Sequence, residues 1–206
     1  MAKTYRLLRI GARKEHAMKI LIASDIHGSA YWAARLACAV ESEAPDRIVL
    51  LGDLLYHGPR NSLPRDYDPQ RVIPVLNGFA HSGRLVAVRG NCDSEVDQMV
   101  LDFPCMSDYA QLVDEAGKTL FFTHGHVYGA GFHNSVDAVP ALPKGSALVF
   151  GHTHVKVNEP APACPDVWAF NPGSVSIPKD GTHSCGIYES DQPIDRAFRH
   201  VILQEE

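Results

Sequence analysis

Five short apolar runs punctuate the chain, and each stops at polar residues flanked by glycine. Residues 19–23, 47–51, 85–88, 119–123 and 147–150 are too short for helices and too continuously apolar for half-exposed strands. That pattern predicts strands buried on both faces. Between the first runs the apolar spacing becomes helical. Trp32, Leu36, Ala39 and Val40 share one face behind Ser29, a suitable N-cap, until Pro45 and Asp46 end the run. Residues 71–81 place Val72, Val75, Leu76 and Phe79 on one face, with Pro74 expected in the first turn, where its missing N–H is tolerated. Residues 94–101 predict a short helix capped by Ser94. Later the pattern favours strands: 168–170 leads into Asn171-Pro172-Gly173-Ser174, and 184–189 and 198–203 predict two closing strands. The stretches 54–69 and around Pro140 and Pro143 are loops.

No repeat, low-complexity tract or linker interrupts residues 18–206, so one α/β domain is expected there. Residues 1–17 carry five Lys/Arg against a single acidic residue and lack the apolar core of a secretory signal. They are expected to be a poorly ordered extension upstream of Met18; an Arg-rich targeting leader is the other reading.

Composition narrows the functional classes. The 45% hydrophobic content suits an ordinary core, and no run approaches the ~20 apolar residues of a membrane span. A net charge of −5 supplies no electrostatic footprint for a nucleic-acid backbone. The five cysteines form no CxxC pair, consistent with reduced thiols in the cytoplasm. Histidine is the departure: five of the eleven sit in compact motifs, at His27, His124, His126, His152 and His154.

Those motifs fall at the strand ends. Asp25 and His27 follow the first run, Asp53 the second, Asn91 the third, His124 the fourth, and His152 and His154 the fifth. Open α/β sheets gather ligands beyond the carboxyl ends of their strands. One such ending is unremarkable, since an Asp-x-His at a strand end is commonly a capped loop. Five in succession, each beside a glycine that lets the backbone turn, point to a metal site. Seven oxygen and nitrogen donors suit two adjacent ions better than one four-coordinate zinc.

The set Asp25-x-His27, Gly52-Asp53, Gly90-Asn91, His124-Gly125 and Gly151-His152-Thr153-His154 resembles the calcineurin-like metallophosphoesterase superfamily, over essentially all of residues 18–206. The stretches 57–61, 90–95 and 171–178 resemble its YfcE-type bacterial phosphodiesterases. The resemblance implies a four-layer α/β/β/α sandwich around a two-metal site. It implies one ion on Asp25, His27, Asp53 and His154, and a second on Asp53, Asn91, His124 and His152, with Asp53 bridging. A hydroxide held between the ions would then attack the phosphorus of a small phosphodiester. The donor set suits Mn, Fe or Zn better than Ca; the resemblance favours Mn2+, with Ni or Mg as further candidates, and suggests a homo-oligomer.

The superfamily commonly has histidine after the motif asparagine, near the leaving group; here it is Cys92. A thiol is a poor proton donor to an alkoxide, and losing general-acid help costs about 10²–10⁴-fold. Leaving groups that need no proton should suffer least, and because the YfcE-type phosphodiesterases share this cysteine the resemblance implies diesters over monoesters. Asn91, Cys92 and Arg60 form the expected catalytic set, and Arg60, Asn61 and Asn91 the expected substrate contacts, since guanidinium matches phosphate geometry. His126 is expected beside the ligands rather than among them. The competing readings are a phosphomonoesterase or nucleotide hydrolase on the same residues, and a protein-interaction scaffold like the retromer subunit of this fold.

Overall fold

The computed structural model describes residues 17–205, so the expectation for the N-terminal extension falls almost wholly outside the described residues. Two five-stranded sheets pack face to face. The first contains β1 (Lys19–Ala23), β2 (Arg47–Leu50), β3 (Leu85–Ala87), β11 (Ser184–Glu189) and β12 (Phe198–Ile202), in the order β12-β11-β1-β2-β3. The second contains β4 (Tyr109–Val113), β5 (Thr119–Thr123), β8 (Ala147–Val149), β9 (Val157–Ala161) and β10 (Cys164–Asn171), in the order β4-β5-β8-β10-β9. The pairs β1–β2, β2–β3, β5–β8 and β8–β10 are parallel, so their carboxyl ends share one edge of the molecule.

Period-2 alternation sorts these buried strands between layers. Ile20, Ile22 and Val49 point inward to meet Leu120, Phe122, Ala147, Val149 and Phe170 of the second sheet. Leu21, Ala23, Ile48 and Leu50 point outward onto α1 (Ala30–Glu43) and α2 (Pro69–His81), against Trp32, Leu36, Val72 and Leu76. On the far side, Phe121, Leu148, Phe150 and Ala169 form a third apolar cluster. Ala130 and Phe132 help cover it, within a segment holding the two-residue strands β6 (Gly129–Ala130) and β7 (Asp137–Ala138). This outermost layer is a hairpin and loops; among the described residues it has no helix. Pro140, Pro143 and the glycines at 129, 131 and 145 leave no helical run there.

Helix starts obey their caps. Ser29 accepts from the Trp32 amide at 3.3 Å. In α2 the cap is Asp68, which accepts from the Arg71 amide, and Pro69 opens the helix. The helix thus begins two residues before the expected start, and Pro74 lies inside it rather than in its first turn. The third helix, α3 (Glu95–Val100), follows Ser94, whose amide donates to Asp97 at 2.8 Å. Besides the two-residue β6 and β7, two strands have no clear apolar run. The edge strand β4 alternates exposed and half-buried positions, and β9, also an edge, contains Pro160, which an outer strand tolerates.

Candidate metal centre and cleft

The parallel strands deliver all seven expected donors to one edge, through loops whose backbones are strained. Eight non-glycine residues among those described have positive φ, and five of them are Asp25, His27, Asp53, His152 and His154. Each left-handed residue costs roughly 1–2 kcal/mol. The turning is therefore done by the donors themselves, and not only by the flanking glycines. Glycine matters most where loops touch: a Cβ on Gly90 would collide with the Asp53 amide and carboxylate.

Hydrogen bonds hold the strained loops. Asp93 accepts from the amides of Asp53, Leu54 and Gly90 at 2.9, 2.8 and 2.7 Å. Ser174 and Ser176 donate their hydroxyls to the Asp25 carbonyl at 2.9 and 3.1 Å. Asn171 donates to the Gly151 carbonyl at 2.8 Å, tying the Asn-Pro-Gly-Ser stretch to the loop bearing His152 and His154.

Three imidazoles are fixed in one tautomer. The Nδ1 atoms of His27, His124 and His154 lie 2.8, 2.7 and 2.6 Å from the carbonyls of Tyr56, Leu51 and Ile177. A carbonyl only accepts, so each Nδ1 carries a proton, and in the neutral imidazole each Nε2 presents the lone pair. Those lone pairs converge. His27 Nε2 lies 3.3 Å from His154 Nε2, 3.5 Å from Asp25 Oδ1 and 3.6 Å from Asp53 Oδ2. His154 Nε2 is 3.2 Å from Asp25 Oδ1. His124 Nε2 lies 3.4 Å from Asp53 Oδ2 and 3.1 Å from Asn91 Oδ1. Donors placed ~2.1 Å from a shared ion are ~3.0–3.5 Å apart, so this spacing fits metal coordination. Asp53 Oδ2 faces both His27 and His124, while Asp53 Oδ1 accepts from the Cys92 amide at 2.8 Å. Asp25 Oδ1 is buried without a hydrogen-bond partner, and its Oδ2 accepts from the His152 amide at 3.0 Å.

The electrostatics favour positive charge among these groups. Burial opposes ionisation of Asp25, yet the imidazoles of His154 and His27 hold its carboxyl well below the usual range. Burial likewise works against a proton on His124, but the Asp53 and Asp25 carboxylates raise it to about 9. His27 is raised by Asp25 and Asp53 against the same opposition. His152, by contrast, is lowered to about 4 by burial and by His124 beside it. Carboxylates that pull protons onto neighbouring imidazoles are carboxylates in want of a cation.

A cleft of about 260 Å³ opens over these groups, lined by Asp53, Arg60, Asn61, Asn91, Cys92 and His152 among others. Cys92 is half-buried, accepts from Asn91 Nδ2 at 3.2 Å, and has its thiol pushed far up by burial and by Asp53. His126 packs beside the rings of His124 and His152, at 5.3 and 6.3 Å; both His126 and the expected ligand His152 stay outside the close donor groups, one of which joins Cys92 to His27 and Asp53. Lys179 and Asn134 also line the cleft. Sequence reasoning missed both; Lys179 directly follows the 171–178 stretch, which was the available signal.

A two-sheet α/β sandwich with clustered Asp, Asn and His donors at one strand edge defines a class, and the chain belongs to it: the calcineurin-like phosphoesterase superfamily, whose domain matches residues 18–192. Phosphodiesterase YfcE of Escherichia coli K12 is 45% identical over 175 residues, spanning 84% of this chain and 89% of that protein. The structure of YfcE, described as a phosphoesterase from E. coli, superposes with a TM-score of 0.77 at 42% identity, covering 91% of this chain and 100% of that one. An archaeal phosphodiesterase shares the fold, with a TM-score of 0.61 at 21% identity over 90% of this chain and 100% of that one.

Proposed function

We propose that this chain is a two-metal phosphodiesterase acting on small diesters. The observation that carries the reading is the trio of imidazoles locked by backbone carbonyls, with their Nε2 lone pairs turned onto Asp25 and Asp53. Asp25, His27, Asp53 and His154 would hold one divalent ion; Asp53, Asn91, His124 and His152 would hold the other. Asp53 Oδ2, within 3.6 Å of imidazoles from both groups, supports its bridging role. When bound, such a pair supplies Lewis-acid activation of water and of the phosphoryl oxygens. The mixed carboxylate and imidazole set favours Mn2+, with Fe, Zn, Ni or Mg as alternatives.

The chain's own groups then position the substrate. Arg60 and Asn61 contact a phosphate of the substrate from the cleft wall, and Asn91, with Oδ1 3.1 Å from His124 Nε2, lines the same cleft. Cys92 stays protonated but is a weak acid, so turnover favours leaving groups that need no proton. The diester class itself is proposed from the name of the YfcE relative. The five cysteines, all free thiols, accord with a cytoplasmic setting. No helix among the described residues is long and apolar enough to cross a membrane. A homo-oligomer is proposed by analogy alone.

Rates on bis(p-nitrophenyl) phosphate and p-nitrophenyl phosphate with added Mn2+ test the reading. Faster diester cleavage is expected. A marked monoester preference would favour the phosphomonoesterase instead, and no cleavage of either ester would favour a scaffold.

A further inference from the structure

Two cations in the cleft are left without partners by the side chains around them. Lys179 sits next to Asp180, yet that carboxylate is taken by Lys156, whose Nζ lies 2.7 Å from Oδ1 and whose amide donates to Oδ2 at 2.7 Å. The segment is also pinned from behind, where the Lys179 amide donates to the His154 carbonyl at 2.9 Å. Lys179 is thus held at the cleft with its nearest counter-ion already used. Arg60 occupies the facing loop, on a turn closed by Asn61 Nδ2 donating to the His57 carbonyl at 2.8 Å. The acids near that loop are also engaged, since Asp66 pairs with Arg71 at 2.9 Å. Among the described residues, neither Arg60 nor Lys179 has an anionic partner, and both line the cleft. In a chain of net charge −5, two uncompensated cations facing one cavity are a local exception.

Depth and charge say what they are for. Asp25, His27 and His124 are fully buried at the floor, whereas Arg60 and Lys179 are exposed at the mouth. A scissile phosphodiester carries a single negative charge. Two divalent ions against two carboxylates already leave an excess of positive charge for it at the floor. The mouth cations match a different anion. We propose that Arg60 and Lys179 clamp a second anionic group, so that the preferred substrate is a phosphodiester bearing a phosphomonoester on one arm. This rests on the two-metal phosphodiesterase reading and adds the substrate class. Arg60 supplies a bidentate fork and Lys179 a mobile point charge, a pairing suited to a terminal phosphate.

Alkane bisphosphonates of two to five methylenes, which contain no ester bond, test the clamp by calorimetric binding to the full-length Mn2+-loaded protein. Each is compared with the matching alkyl monophosphonate. At low salt the best bisphosphonate should bind about fivefold to tenfold tighter, as two exposed ion pairs allow. The advantage should shrink with salt, collapse in the Arg60→Ala/Lys179→Ala double variant, and largely survive Lys179→Arg. Equal binding of the two ligand types overturns the clamp. So does an advantage that persists unchanged in the double variant, which would place both phosphonates on the metals. A protein that shows the advantage yet cleaves no diester contradicts the phosphodiesterase reading; a working diesterase without the advantage contradicts the clamp alone.

Discussion

The backbone amide of Asp53 donates to Oδ2 of Asp93 at 2.9 Å, joining the loop after β2 to the loop after β3. The same carboxylate takes the Leu54 and Gly90 amides, so one buried side chain sets the conformation of two loops. Asp53 is itself left-handed, with φ of 55°, and nothing in its own sequence enforces that. Asp93→Ala leaves three buried donors unsatisfied, each worth about 1–3 kcal/mol. The variant should lose about 3 kcal/mol or more in chemical denaturation and bind less metal by elemental analysis. Wild-type metal content with lost stability would confine Asp93 to a folding role.

Cys92 offers a sharper chemical prediction. Its Sγ lies in the cleft beside Asn91, and its thiol is held far from ionisation. Cys92→His places an imidazole where a leaving alkoxide needs a proton. Activity on esters with poor leaving groups should rise by about 10-fold or more, within the usual range for general-acid help. Rates on p-nitrophenyl esters should change little. An unchanged rate on alkyl esters would remove Cys92 from the substrate argument.

The raised His124 has a consequence for pH. Its folded value is about 9 against an ordinary value near 6.5. In chelator-treated protein its stabilising contribution is therefore complete below about pH 6.5 and lost as pH climbs through about 9. Melting temperature of that form should fall by several degrees across this window. A metal must displace the same proton, so Mn2+ affinity should rise over the same range, with proton release detectable by calorimetry in buffers of different ionisation enthalpy. A pH-independent affinity would show that His124 does not hold the ion.

Much of this arrangement is legible in the chain, because buried parallel strands advertise themselves. The run 19–23 is apolar at nearly every position, and its polar end marks where the fold opens onto a site. The outer strands of the second sheet do not share that property: β4 is half-solvated, and Pro160 in β9 mimics a loop signal. Donor types at 25, 27, 53, 91, 124, 152 and 154 are visible as residues. The devices that orient them are not, because the carbonyls of Leu51, Tyr56 and Ile177 are generic backbone atoms until the chain folds. Lys179 escaped for a related reason. Its significance depends on Lys156 capturing Asp180, a pairing across 24 residues that no local motif reveals.

Metal content and diester hydrolysis, measured on one Mn2+-loaded sample of wild type and of Asp53→Ala, test the central claim most directly. The account predicts two divalent ions per wild-type chain with Mn2+-dependent cleavage of bis(p-nitrophenyl) phosphate, and one ion or none without measurable cleavage in the variant. A wild-type chain that takes up no divalent ion, or an Asp53→Ala chain that cleaves the diester at the wild-type rate, would contradict it.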